Sequence, residues 1–411
     1  MIIYSVNWDN KIKNITKEFK YKESWCISMD IYLDNSATTK PYKEVVDKMV
    51  YALTIDYANP SAVHKKGVEV EKNIKKVRQE IAKSIGCKDK EIIFTSGGTE
   101  ANNTIIRGVA NLHKKRKNHI ITTNIEHPSV LRTMEDLGDQ GFEVTYLKVN
   151  DKGIVDINDV KNAIKDTTIL ISMMHVNNEI GSIQPIKEVG KYLSTLKEKV
   201  YLHVDAVQSF AKINFKPSRY NIDFMSVSGH KLHGPKGIGF MYIKDSNKIK
   251  PMLTGGGQEI GIRSGTENVA GIYGLGEAVN IIMSDLNSKI DNINELKNLL
   301  KDYIVNNIDD IKVNSPEDGV CHILNISFRG VRGEVLLHHL AQQGIFVSTG
   351  SACSSKKKGS HVLNAIGLTP EEIDGAIRFS LSDMTTRDEI NQACEIIKKS
   401  VEELRMIIKR R

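Results

Sequence analysis

Between about Tyr42 and Lys250, short apolar runs alternate with stretches of helical period, and that alternation leaves few architectures open. Glu91–Phe94, His119–Thr123, Thr168–Met174, Val200–Val204 and Phe224–Val227 each read as a buried strand. Ahead of them, Val70, Ile74, Val77, Ile81 and Ile85 recur at the spacing of one helix face. Strands interleaved with helices build a mostly parallel sheet covered on both sides. Ligands of such sheets bind beyond the carboxyl ends of the strands. The polar residues that stand out in this chain lie at those ends.

After about Leu275 the pattern changes. A helix carrying Ile290, Ile293, Leu296, Leu300 and Ile304 leads to strands around His322–Phe328 and Ile345–Val347. A last helix aligns Ile390, Ala393, Ile397, Val401, Leu404 and Ile408 on one stripe. The expectation is a large α/β unit over residues 43–275 and a smaller α+β unit over 276–411, as suits a chain of 411 residues. Residues 29–42 read as a strand entering a polar turn and are expected to pack with the smaller unit. Residues 1–28 hold both tryptophans, Trp8 and Trp25, and many lysines without a clear period. They are expected to be an extension outside the core, with Met29 as the natural start.

Composition narrows the function classes. Hydrophobic residues at 40% and charged residues at 26% are ordinary for a soluble globular protein. A formal charge of +7 is mild for this length; it reads as solvated surface and does not call for direct nucleic-acid binding. Five cysteines without a C-x-x-C pair argue against a disulfide framework or a metal site, and the cytoplasm is the expected compartment. No apolar run reaches the length of a membrane span, and the N-terminus lacks the apolar core of a secretory signal.

Lys231 is the most informative residue. It lies in Ser228-Gly229-His230-Lys231-Leu232-His233-Gly234-Pro235, just past a strand. A loop lysine is ordinarily a solvated charge, but hydroxyl and imidazole neighbours in a tight turn suit a lysine that holds a Schiff-base cofactor. Thr95-Ser96-Gly97-Gly98-Thr99-Glu100 joins a strand to a helix, where glycines admit an anion to free N–H groups; a simply capped helix start explains the same residues equally. Asp205 ends another strand and could keep a pyridine nitrogen protonated, or could cap a helix, with Gln208 one turn further. His127, fixed by Pro128, could stack on a flat ring or shuttle protons, or be a plain loop residue. Asn177-Asn178-Glu179 follows strand 168–174, where asparagine turns compete as the explanation. Cys353 lies in a small, polar stretch with Lys356, Lys357 and Lys358, where a thiolate would be reachable and favoured. Cys26, Cys87, Cys321 and Cys394 suit duller roles. Arg378 is the only charge in Ala376–Ser382; it could pair with a carboxylate, although an exposed-face strand arginine is the simpler reading.

Taken in order, these segments resemble the pyridoxal-phosphate cysteine desulfurases of the NifS/IscS type, within the class V aminotransferases, from Met29 to the C-terminus. The carriers are Tyr32–Thr39, Asn59-Pro60-Ser61, the Thr95–Glu100 loop, Glu126-His127-Pro128, His175–Glu179, His203–Gln208, Ser228–Pro235, Arg263–Asn268, the Cys353 loop and Arg378–Leu381. The resemblance implies the type I fold of pyridoxal-phosphate transferases, with a seven-stranded-type sheet in the large unit. It implies that Lys231 bonds pyridoxal 5′-phosphate, that Asp205 pairs with the ring nitrogen and that His127 stacks over the ring. Gln208 and Asn178 would face the ring hydroxyl or substrate. Gly98, Thr99, Ser228 and His230 would hold the phosphate, with Thr266 reaching the phosphate of a neighbouring subunit in a homodimer. Arg378 and Asn178 would hold the carboxylate of L-cysteine, Lys231 and His127 would move protons, and Cys353 would take the sulfur as a persulfide for acceptor proteins of iron–sulfur assembly or tRNA thiolation. The runner-up is another class V activity, a selenocysteine lyase or an aminotransferase. One departure is Ile260, where many relatives carry a basic residue.

Overall fold

A computed structural model describes residues 30–244, 249–349 and 359–409. Its central sheet has seven strands: β2 (Ile92–Thr95), β3 (His119–Thr123), β4 (Glu143–Leu147), β5 (Thr168–Met174), β6 (Tyr201–Asp205), β7 (Phe224–Ser228) and β8 (Gly239–Ile243). They stand in the order β2-β8-β7-β6-β5-β3-β4. The pairs from β4 to β7 are parallel, whereas β8 runs antiparallel to both β2 and β7. β5, β6 and β7 are buried along their whole length, which is why each reads as a continuous apolar run rather than an alternating one.

Alternate residues of one strand feed opposite cores. Ile92 and Phe94 meet α2 (Lys65–Ile85), whose Val70, Ile74, Ile81 and Ile85 pack with Ile272, Leu275 and Val279 of α7 (Val269–Met283). Ile93 faces the other way, towards Ile105, Ile106 and Val109 of α3 (Gly98–His113) and Val130, Met134 and Leu137 of α4 (Pro128–Asp139). Between these lie α5 (Ile157–Ala163) and α6 (Ile186–Leu193), and α1 (Lys43–Thr54) precedes α2.

A second core forms around a three-stranded antiparallel sheet in which β10 (Ile323–Phe328) lies between β9 (Ile311–Val313) and β12 (Ala376–Ser380). It is covered by α8 (Leu286–Asn307), α9 (Gly333–Gln342) and α12 (Arg387–Lys409). The first described residues join this core: β1 (Ile31–Tyr32) pairs in parallel with β11 (Ile345–Phe346), and Ile31 and Leu33 are buried in it. Asn35 and Ser36 are then pinned to β12, through Asn35 Nδ2 to the Ser380 carbonyl (2.9 Å) and Ser36 N to Ser380 Oγ (2.8 Å). That pin carries Ser36–Thr38 over the carboxyl ends of the central strands.

Candidate active site

The strand ends of the central sheet open into one cavity of about 640 Å³, walled also by Ser36–Thr38, Arg378 and the start of α10 (His361–Ala365). β7 ends at Ser228 and the chain turns at once through the single 3-10 turn Gly229–Lys231. The turn sends Lys231 into the cavity, where Nζ donates to the carbonyls of Ser36 (2.6 Å) and Ala37 (2.7 Å). From behind, Lys212 Nζ donates to the Lys231 carbonyl. Asp205 ends the neighbouring β6 on the cavity floor, and its carboxylate accepts from Asn102 Nδ2 (2.7 Å) and Val207 N (3.0 Å). The helix-cap reading is corrected to a turn: no helix follows β6 directly, and the bond from Val207 N holds a local turn while the carboxylate still borders the cavity.

The Thr95–Glu100 loop has the form an anion site needs. Gly97 precedes α3 without any side-chain cap, leaving helix-start N–H groups directed at the cavity. A Cβ on Gly98 would meet Val207 Cγ2 at 2.7 Å, and one on Gly97 would stand 3.4 Å from Ser228 Oγ, so side chains there would narrow the cradle. Thr99, Ser228 and His230 border the same space. Burial pushes the His230 imidazole down to about 4, with Lys231, Lys236 and Lys212 adding to the shift, so the ring is neutral near pH 7. Glu100 lines the cavity too, but its carboxylate is taken by Arg263 and the Ser96 N–H: burial works against its charge, and these two outweigh it and lower its pKa.

His127 caps α4. Its Nδ1 receives the Ser129 N–H (3.1 Å) and lies 2.8 Å from the Ser129 hydroxyl. The same hydroxyl accepts from Asn102 (2.9 Å), so one asparagine ties the Asp205 carboxylate to the His127 ring. Gln208 lines the cavity, with Nε2 on the Ser36 carbonyl (3.0 Å) and Oε1 facing His322 (3.3 Å). Asn178 lines it as well, and its carbonyl accepts from Arg378 Nη1 (2.9 Å). Arg378 is not the exposed-face residue that its strand alone suggests: it is 4% exposed, pairs through Nη2 with Asp34 (2.7 Å), and its Nε has no partner among the described residues. A substrate carboxylate would share or replace Asp34 there.

Two expected residues stand apart. Thr266 is exposed and does not border the cavity of its own chain. Cys353 lies outside the described residues, as do Cys26 and residues 1–28, although Ser348 and Ser360, on either side of 350–358, both line the cavity. Ile260, at the position of the sequence departure, is 57% exposed with φ 58°, while Glu259 beside it is clamped by Arg78 at 2.7 Å.

Sequence reading assigned no role to Asn102, Ser129, Glu126, Glu179, Ser360 or His361. Asn102 was open to discovery, since it lies one helical turn past Thr99 and so shares its face. Glu126 is wholly buried beneath His127. Burial pushes it up to about 8 despite bonds from Thr123 Oγ1 and Met174 N, and Asp205 adds to the shift. Glu179 borders the cavity and is pushed by burial up to about 7, opposed by the Ser360 hydroxyl and Arg378. No group of side chains suited to a metal ion occurs among the described residues.

The donor set fits a phosphorylated pyridine aldehyde: a lysine, a carboxylate on the cavity floor, an uncapped helix start and an imidazole share one space. Comparison with known proteins agrees. The model of the family described as aminotransferase class-V matches residues 31–393. Cysteine desulfurase IscS of Dictyoglomus turgidum is 43% identical over 380 residues, covering 92% of this chain and 96% of that protein. Cysteine desulfurase IscS of Methanosarcina thermophila is 42% identical over 377 residues, covering 91% and 93%. Among solved structures, a NifS-like protein superposes with a TM-score of 0.87 at 37% identity, over 92% of this chain and 100% of that one. The structure titled SspA in complex with cysteine gives 0.78 at 35%, over 86% and 99%.

Proposed function

The chain belongs to the class V aminotransferases, and on that premise we propose how its own residues divide the work of a pyridoxal-5′-phosphate-dependent cysteine desulfurase. The enzyme converts L-cysteine to L-alanine and passes the sulfur on. The observation that carries the assignment is that Lys231 and Asp205 share one cavity, at whose wall the Cys353 segment also departs and returns. Lys231 would hold the cofactor covalently, Asp205 its ring nitrogen, Gln208 and Asn178 its polar edge, and Gly98, Thr99, Ser228 and His230 its phosphate. When bound, pyridoxal 5′-phosphate supplies an aldehyde for amino groups and a protonated ring that takes up negative charge from the substrate.

The protein's own groups do the rest. Arg378 and Asn178 hold the substrate carboxylate and so orient its thiol, a gain in proximity rather than in chemistry. Asn102 keeps the Asp205 carboxylate and His127 in register, and Lys231 and His127 carry protons between substrate atoms. The Cys353 thiolate attacks the substrate sulfur; the S–S bond forms as the C–S bond breaks, the carbon takes a proton, and alanine leaves. The persulfide on Cys353 then passes to an acceptor protein, of the kind that builds iron–sulfur clusters or thiolates tRNA. Residues 43–275 form the cofactor-binding unit and 276–411 the unit bearing Cys353, with 29–42 packed on the latter.

We place the active form as a homodimer in the cytoplasm. An exposed apolar stripe of Val46, Val50 and Leu53 on α1 supports the dimer. Cys87, Cys321 and Cys394 are unpaired, which suits a reducing compartment, and no described helix is long and apolar enough to cross a membrane. The test is alanine formed from L-cysteine, with reductant, by the wild type and by Cys353→Ala carrying bound cofactor. Alanine from the wild type with at least about a hundredfold less from the variant is expected, the scale of losing a covalent nucleophile. Equal alanine from both would mean elimination without the thiol, as in a lyase.

A further inference from the structure

Of the three described imidazoles that border the cavity, His230 lies in the turn after β7, and two stand at helix starts in distant parts of the chain, His127 at α4 and His361 at α10. Their ring nitrogens are committed in opposite senses. On His127, Nδ1 faces the Ser129 N–H at 3.1 Å; an N–H only donates, so Nδ1 accepts and the neutral ring keeps its proton on Nε2. On His361, Nε2 stands 3.1 Å from the Glu126 carbonyl, which only accepts, so Nε2 carries the proton and Nδ1 keeps its lone pair. One ring thus keeps an N–H donor and the other a lone pair, on side chains that both line the cavity.

Both rings are neutral near pH 7. Loss of water lowers His127; Asp205 opposes this, while Lys231 and His361 add to it. Loss of water likewise lowers His361, with the bond to the Glu126 carbonyl opposing. The rival bases are committed elsewhere. Lys231 Nζ donates to the Ser36 and Ala37 carbonyls here and would be bonded to the cofactor in the holoenzyme, Asp205 is bound by Asn102 and Val207 N, Asp34 by Arg378, and Glu179 by Ser360. His230 lies on the phosphate side beside Thr38, where Lys236 also stands, and Glu100 is taken by Arg263.

An amino acid arrives at neutral pH with its amine protonated and without the lone pair it needs to react with an aldehyde. We propose that His361 is the catalytic base that removes this proton: the Nδ1 lone pair takes a proton from the substrate ammonium, one N–H bond breaks, its electron pair stays on the substrate nitrogen, and His361 becomes imidazolium. His127, with its proton on Nε2, serves the opposite need. The identity of the substrate, L-cysteine, rests on the desulfurase reading, but the step itself precedes any attack on sulfur.

Two measurements on the full chain test this. In ¹⁵N-histidine-labelled protein, the His361 signals, assigned by their loss in His361→Gln, should show a bare Nδ1 and a protonated Nε2 in the neutral ring. In stopped-flow mixing of the holoenzyme with L-cysteine, the first absorbance change should slow as falling pH protonates His361, below the ordinary imidazole range. His361→Gln, which keeps an N–H for the Glu126 carbonyl, should slow that phase on the order of 10²-fold, lose the acid limb and be partly rescued by added imidazole. His361→Asn gives the same readout if the glutamine variant melts early. A protonated Nδ1, or an unchanged rate and acid limb in a folded variant, overturns the proposal. The desulfurase reading fails separately, by a wild type that shows the first absorbance change and releases no alanine.

Discussion

Glu126 and Asp205 stand close enough for the charge of Asp205 to raise the Glu126 pKa, yet the chain provides for them differently. Asp205 receives Asn102 and a backbone N–H on separate oxygens, whereas both donors to Glu126 reach Oε1 and its Oε2 has no partner among the described residues. Burial therefore pushes Glu126 up to about 8. An unfolded glutamate titrates near about 4.3. Between that value and 8 the native chain holds a proton that the unfolded chain releases, so stability falls as pH rises through this window. Glu126→Gln, which can keep the Oε1 bonds, should raise stability by on the order of 1 kcal/mol at pH 5 and by on the order of 4 kcal/mol at pH 8. Glu179, raised to about 7, would leave part of the slope in place. Melting of both proteins at pH 5 and pH 8 checks this; parallel pH profiles would mean that Glu126 stays charged. At this scale the sequence revealed what strand ends reveal. Lys231, Asp205 and His127 each follow an apolar run, so their placement on the cavity follows from the alternation of elements. Arg378, read from its strand alone, belonged outside, because nothing local tells that Asp34 and Asn178, more than 190 residues away, close over it. Glu179, Ser360 and His361 stayed hidden for the same reason.

Elements were legible in proportion to their burial. β5, β6 and β7 are covered on both faces and announce themselves as apolar runs, but β4, an edge strand with only Leu147 buried, gives no such signal. The period of α2 was plain because one face of it meets the sheet, and Gly86 at φ 70° closes it with a left-handed cap. α10 is the opposite case: five residues are too few for a period, and the helix exists through its cap. Ser360 Oγ accepts from Val362 N and Leu363 N, both at 3.1 Å, and donates its proton to Glu179. That one hydroxyl fixes the helix bearing His361 to the wall formed after β5. Ser360→Ala should cost about 1–2 kcal/mol in urea unfolding, the usual loss of a cap, with Ser360→Thr keeping most of it. A loss within about 0.3 kcal/mol would show that the packing of Val362 and Leu363 holds α10 without its cap.

The whole molecule poses the question that the cavity of one chain leaves open. Thr266, expected at a phosphate, is exposed, and Arg263 beside it is anchored to Glu100 at 2.9 Å, so the segment from Arg263 to Asn268 is held against the start of α3 with Thr266 turned outward. Val46, Val50 and Leu53 recur along one side of α1, and Tyr57 and Val63 extend the exposed apolar surface beyond it, with Val63 97% exposed. Burying such a surface between two copies would stabilise at about 25 cal/mol per Å² of apolar area. It would also let Thr266 of one subunit serve the cavity of the other. Wild type should then run in solution at twice the 46.0 kDa of one chain, and Val50→Glu with Leu53→Glu should shift it to the single mass. Complementation asks the sharper question. Lys231→Ala and Thr266→Ala should each be inactive or weak alone, and mixing them under subunit exchange should restore activity. Each mixed dimer then has one site with an intact Lys231 and an intact Thr266 from across the interface. Random exchange makes half of the dimers mixed, so roughly a quarter of all sites would recover. A mixture no more active than its parts would mean that Thr266 does not serve the cavity across the interface, and a fully active Thr266→Ala alone would leave the anion to the helix start at Gly98 and Thr99, with Ser228 and His230, within one chain.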